Sequence, residues 1–126
     1  MCGIVGLFLK DKSLEPKLGE MLSEMLITMT DRGPDSAGIA IYGSGNAKKS
    51  KITIQSADPA TDFAGLGKEL AGKIGGTPEV LVKSTHAVIE VPTEQVEAAR
   101  AAILELRPSV RIMGVGEAIE IFKEVG

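Results

Sequence analysis

The feature that most constrains this chain is its punctuation. Short runs rich in valine and isoleucine alternate with segments whose apolar residues recur every three or four positions, and glycine or proline bounds nearly every one. Period-two runs read as strands and three-to-four spacing reads as amphipathic helix, so the alternation predicts layered helices and sheet. Leu18, Met21, Leu22, Met25, Leu26 and Met29 predict a helix of about four turns, capped near Ser13 and stopped by Asp31-Arg32-Gly33-Pro34. Before it, residues 3–9 form a short apolar run that predicts a buried strand. After it, Ala37 to Tyr42 and Lys51 to Gln55 flank Gly43-Ser44-Gly45-Asn46 and predict a hairpin.

Further on, Phe63, Leu66, Leu70 and Ile74 predict a helix that Asp58-Pro59 opens and Gly75-Gly76 ends. Residues 80–91 predict a strand, 93–106 a helix capped by Thr93 and stopped by Pro108, 110–115 a strand and 117–125 a last helix. The expected fold class is therefore α/β or α+β. The Gly/Pro-rich stretch from Gly75 to Pro78 suggests two parts, residues 1–76 and a β-α-β-α subdomain over 77–126. With no Trp, one Tyr and three Phe, the core is expected to consist of Ile, Val, Leu, Met and Ala.

A net charge of −3 gives no reason to expect nucleic acid or an anionic membrane as partner. No apolar run approaches the roughly 18 residues of a spanning helix, and the apolar start has no basic leader, so the expected location is cytoplasmic. The single cysteine excludes an internal disulfide and a multi-thiolate metal site. The acidic residues of the tail have no metal-ligand spacing, and Gly43 with Gly45 and Gly114 with Gly116 each complete only half of a phosphate-cradling glycine loop. Those pairs read as turns.

That cysteine stands at position 2, directly after the initiator methionine. Removal of Met1 would give Cys2 a free α-amine, placing nucleophile and base on one residue. A model α-amine titrates near 7.7–8, so about a tenth of it is neutral at pH 7 and able to take the thiol proton. His86, the sole histidine, is then not required, although a Cys2–His86 pair is the alternative. The contrasting reading of Cys2 is a small buried packing residue.

MCGIVGLF at 1–8, followed by DRGPDSAGIAIYG at 31–43, resembles the opening of the class II glutamine amidotransferases. These are N-terminal-nucleophile hydrolases that include the glutaminase domains of glutamate synthase, amidophosphoribosyltransferase, glucosamine-phosphate synthase and asparagine synthetase. The resemblance implies that residues 1–76 are the N-terminal part of a layered αββα domain. It makes Cys2 the nucleophile acting on glutamine, with Gly3 leaving room for the substrate amide. Arg32 and Gly33 belong to the loop beside the site, and Asp35 and Ser36 are candidates to hydrogen-bond the turn or the N-terminal region. The simpler reading of 31–36 is a helix-exit turn with Arg32 and Asp35 as a solvated pair and Ser36 as a cap.

The match ends near residue 55. The family's later arginine for the α-carboxylate and its Asn-Gly oxyanion pair have no counterpart here, since the sole asparagine, Asn46, precedes Ala47. The arrangement is similar to amidotransferase subunits of the glutamate synthase and N-methylglutamate synthase type. That similarity implies no cofactor on this chain and a partner synthase, typically flavin-containing, that accepts the ammonia. The competing classes are a binding module without catalysis, which predicts a buried Cys2, and a regulatory module that gates a glutaminase elsewhere.

Overall fold

The computed structural model describes residues 2–125. It is a mixed α+β chain, as the alternation of periods predicts, and it divides into two compact units. One comprises the residues up to Ala37 together with those from Glu124 onward, and the other is Gly38–Lys123.

In the first unit a 3-10 segment, Lys12–Lys17, leads into helix α1, Leu18–Ile27. Asp11 caps it, its carboxylate accepting from the Ser13 backbone N–H (2.9 Å) and hydroxyl (2.7 Å), the local bonding that makes Asp a helix opener. These bonds hold the Asp11 carboxyl below its ordinary range, the Ser13 hydroxyl contributing most. The predicted stripe of Met21, Leu22, Met25, Leu26 and Met29 is present but only half-buried, and no residue described before Ser50 is fully buried. The expected strand at 3–9 does not form. Val5, Leu7 and Leu9 are half-covered while Ile4 and Phe8 are exposed, so the period-two pattern persists without a ladder. A strand needs a neighbour to bond its N–H and C=O groups, and the described residues supply none here.

The second unit is built on β2 (Lys49–Gln55), α2 (Pro59–Asp62), α3 (Leu66–Ile74), β3 (Glu79–Lys83), β4 (His86–Pro92), α4 (Val96–Leu106) and β5 (Arg111–Gly116). The four strands form one antiparallel sheet in the order β3-β4-β2-β5. This β-α-β-β-α-β order is the split βαβ arrangement of ferredoxin-like domains. Ile52, Ile54, Ala87, Ile89 and Val91 pack from the sheet against Leu66 and Leu70 of α3 and Ala99, Ala102 and Ile103 of α4. Each fully buried Leu or Ile contributes roughly 1.5–3 kcal/mol. The core is aliphatic apart from Phe63, and no methionine joins it.

Strands β1 (Ser36–Tyr42) and β6 (Ile119–Val125) form a two-stranded ribbon, and its residues 119–123 pack on the opposite face of this sheet over β2, β5 and His86. Gly43 N–H donates to Ala118 O, and Gly38 approaches Phe122 O, so the two strands run antiparallel. A Cβ on Gly114 would lie 2.7 Å from Ile121, and one on Gly116 would lie 2.6 Å from Ile119. The two glycines are thus explained by close approach of β6 and by no phosphate loop. Lys51 and Glu120 form a 2.8 Å ion pair between the layers, with side chains 20% and 16% exposed.

Three sequence expectations are corrected here. The 37–42 and 51–55 strands do not form a hairpin with each other: β1 pairs with β6, while β2 is central in the other sheet, hydrogen-bonded to β4 along one edge and to β5 along the other. Residues 80–91 are two strands, since Lys83-Ser84-Thr85-His86 makes a turn, with Ser84 at φ 57°. The final helix is the strand β6, whose Ile119 and Ile121 alternate with Glu120 in the period of a strand. β2 and α3 share one hydrophobic core with the hairpin and helix that follow residue 76.

Candidate functional site

Of the residues singled out at the start of the chain, the structure sets Gly3 against Arg32 within the first unit. Helix α1 ends with its hydroxyls turned back on its own carbonyls, Thr28 Oγ1 donating to Met25 O and Thr30 Oγ1 to Ile27 O, each at 2.7 Å. A single 3-10 turn follows, Thr30–Arg32, closed by Arg32 N–H to Met29 O (2.9 Å) and Gly33 N–H to Thr30 O (3.2 Å). This turn sets Met29 and Arg32 against the N-terminal segment. The Cβ that Gly3 lacks would fall on Met29 Cε and lie 3.7 Å from Arg32 Cβ. Any side chain at position 3 would have to displace the flexible end of Met29, which fills the space beside its backbone.

Cys2 itself is exposed and free, opposite to what a pure packing role predicts. Gly33 has φ −161°, extended backbone open to any residue, so its conformation alone does not demand glycine. Asp35 and Ser36 are exposed, and among the described residues neither side chain makes a hydrogen bond. Arg32 is exposed at the end of its turn. The structure thus brings Cys2, Gly3 and Arg32 into one neighbourhood, with Gly33, Asp35 and Ser36 following in sequence. Among the described residues no three His, Cys, Asp or Glu side chains gather as a metal site would need. No helix among them is long and apolar enough to cross a membrane.

His86 belongs to the second unit and has a structural task. It is buried, its Nε2 accepts the Lys123 backbone N–H at 3.0 Å, and its Nδ1 lies 3.0 Å from Thr85 Oγ1. Accepting at Nε2 places the ring proton on Nδ1, which then donates to Thr85. Phe122 meets the ring edge-on at 5.4 Å. Its cross-strand partner Gln55 donates to Lys123 O at 3.1 Å, so the pair clamps both backbone groups of Lys123 and pins β6. A ring so engaged has no lone pair left for a thiol.

Sequence reasoning missed Arg107, which organises the other end of the second unit. Its Nε donates to Asp62 O (2.7 Å) and Nη2 to Ala64 O (3.0 Å), while Nη1 and Nη2 grip Glu69 at 3.0 and 2.8 Å. The fork matches two carboxylate oxygens and two backbone carbonyls at the end of α2 at once. The Arg107 hydrogen bond holds the Glu69 carboxyl below its ordinary range. Nothing in the local sequence signals this, because its partners lie about 40 residues away.

Cys2 is thus exposed, and its neighbour Gly3 lies against Met29 and Arg32; comparison with known proteins bears on the chain's family. Over its whole length the chain is 60% identical to the glutamine amidotransferase-like protein GlxB of Rhizobium meliloti (strain 1021). It is 27% identical, again over its whole length, to a putative glutamine amidotransferase of Methanothermobacter thermautotrophicus. These likenesses support a glutamine amidotransferase family. The chain spans 42% and 44% of the length of these curated relatives. No protein-family model matches it.

Proposed function

We propose that this chain carries the nucleophile end of a class II glutamine amidotransferase, an N-terminal-nucleophile hydrolase of layered αββα type. With Met1 removed, Cys2 Sγ attacks the side-chain amide carbon of glutamine while the thiol proton passes to the α-amine. The same amine returns the proton to the leaving nitrogen, so ammonia departs and a glutamyl thioester remains. Water, deprotonated by that amine, then releases glutamate and frees the thiol. Arg32, Gly33, Asp35 and Ser36 form the loop beside the nucleophile, and the ammonia passes to a partner synthase in the cytoplasm.

The observation that carries this reading is the packing of Gly3 against Met29 and Arg32, which ties the exposed Cys2 to the second motif. The α-carboxylate arginine and the oxyanion donors belong, in this reading, to the further length that the relatives have. Loss of one such donor costs about 10² to 10³ in rate, so this segment by itself is a poor glutaminase.

The test is intact mass before and after incubation with 6-diazo-5-oxo-norleucine, with Cys2→Ala as control. Loss of Met1 and a single adduct that the control lacks is the expected result. A retained Met1, or equal labelling of the control, refutes the mechanism. A des-Met chain that takes no adduct assigns the glutamine pocket wholly to the further length.

A further inference from the structure

Strand β3 lies at one edge of the four-stranded sheet and pairs only with β4. Natural edges are blunted by proline, bulges or inward charges, and β3 has none of these: its register with β4 is regular, and Leu81 and Val82 are 57% and 51% exposed. The two-residue turn at Ser84-Thr85 closes on a hydrogen-bonded Lys83–His86 pair. Bonded pairs alternate, so Leu81–Val88 and Glu79–Glu90 are bonded too. The N–H and C=O groups of Val80 and Val82 therefore point away from β4, toward the open edge.

The strand reads Glu79-Val80-Leu81-Val82-Lys83, which is complementary to itself when run antiparallel. We propose that β3 is the pairing edge for a second copy of this chain, joining two four-stranded sheets across a two-fold axis at Leu81. Val80 of each copy sits opposite Val82 of the other, and these are the residues with outward backbone groups, so four hydrogen bonds close. Leu81 faces Leu81, and Glu79 of each copy faces Lys83 of the other. Those are the non-bonded positions, where facing Cβ atoms come closest, about 4.5–5.5 Å.

The register is specified. A one-residue slip sets outward groups against residues whose groups point inward, and a two-residue slip sets Leu81 against Glu79 or Lys83. Both charges are at hand: Glu79 is 75% exposed and touches Lys49 only at 3.9 Å, Lys49 being engaged by Glu90 at 2.9 Å. Lys83 makes no ion pair among the described residues. This pairing needs nothing of the N-terminal cysteine and stands apart from the glutaminase reading.

The test is sedimentation velocity of the 126-residue chain in low salt, where exposed pairs are least screened, with circular dichroism to verify that each variant is folded. The wild type is expected to reach twice its 13.2 kDa mass at submillimolar concentration. Glu79→Lys or Lys83→Glu alone sets like charges face to face twice per dimer and is expected to weaken association about 10-fold or more. The double reversal, or an equimolar mixture of the two single variants, restores opposite charges and is expected to restore the dimer. A wild type that stays monomeric, single reversals that leave the dimer unchanged, or a double reversal that fails to rescue would each overturn the proposal.

Discussion

Replacing Arg107 by alanine tests the claim that one side chain holds together the α2–α3 corner and the end of α4. Its side chain is 13% exposed and its guanidinium gives two long-range bonds to backbone carbonyls, Asp62 O and Ala64 O. A hydrogen bond from a charged donor is worth about 1.5–3 kcal/mol, and water entering the truncated site returns part of it. At roughly 1–1.5 kcal/mol lost per carbonyl, the cost is about 2–3 kcal/mol. For a unit of this size that lowers the melting temperature by roughly 10–20 °C, measured by far-ultraviolet circular dichroism. Arg107→Lys keeps the charge but not the fork and should recover less than half of the loss. A melting temperature for Arg107→Ala within about 4 °C of wild type would refute the reasoning, since it would mean that water replaces the fork at no cost.

Three further outcomes follow from the same structure. Because Glu69 titrates below its ordinary value when folded, its contribution is present above the unfolded carboxylate pKa and lost as pH falls through the lowered one. Glu69→Gln should therefore narrow the stability gap to wild type on acidification below about pH 4, read from melting curves between neutral and acid pH. Gly114→Val drives a side chain into Ile121 and should cost about 1–3 kcal/mol by urea denaturation, whereas Gly72→Ala, which meets nothing within 4 Å, should cost nothing and by helix propensity gain up to about 1 kcal/mol. His86→Leu keeps bulk but removes the acceptor for the Lys123 N–H, so hydrogen exchange should show that amide losing protection while Ile89, in the core, keeps its own.

Much of the local structure was legible in the residues. Helices over 13–29, 58–74 and 93–106 followed from apolar spacing and from their Gly and Pro stops, and the 110–115 strand from its apolar run, because these signals act within a few residues. The candidate site rests on Cys2 and the two motifs, which are read from the sequence. Their contact was not legible there, because it depends on the close fit of Gly3 to Met29.

What the sequence by itself determined is which segments are periodic, where they break, and that the lone cysteine follows Met1. Only the tertiary structure decided which strands pair. β1 found β6 some 80 residues away, and β2 became a central strand by pairing with β4 along one edge and β5 along the other, which leaves Ile52, Ile54 and Thr53 fully buried. It also turned the final apolar run into a strand, since Ile119 and Ile121 have small partners in Gly116 and Gly114. Long-range pairing is chosen by the shape and burial of surfaces that local spacing does not encode. The same reason left Arg107 and His86 without a sequence signal, although each holds a corner of the fold.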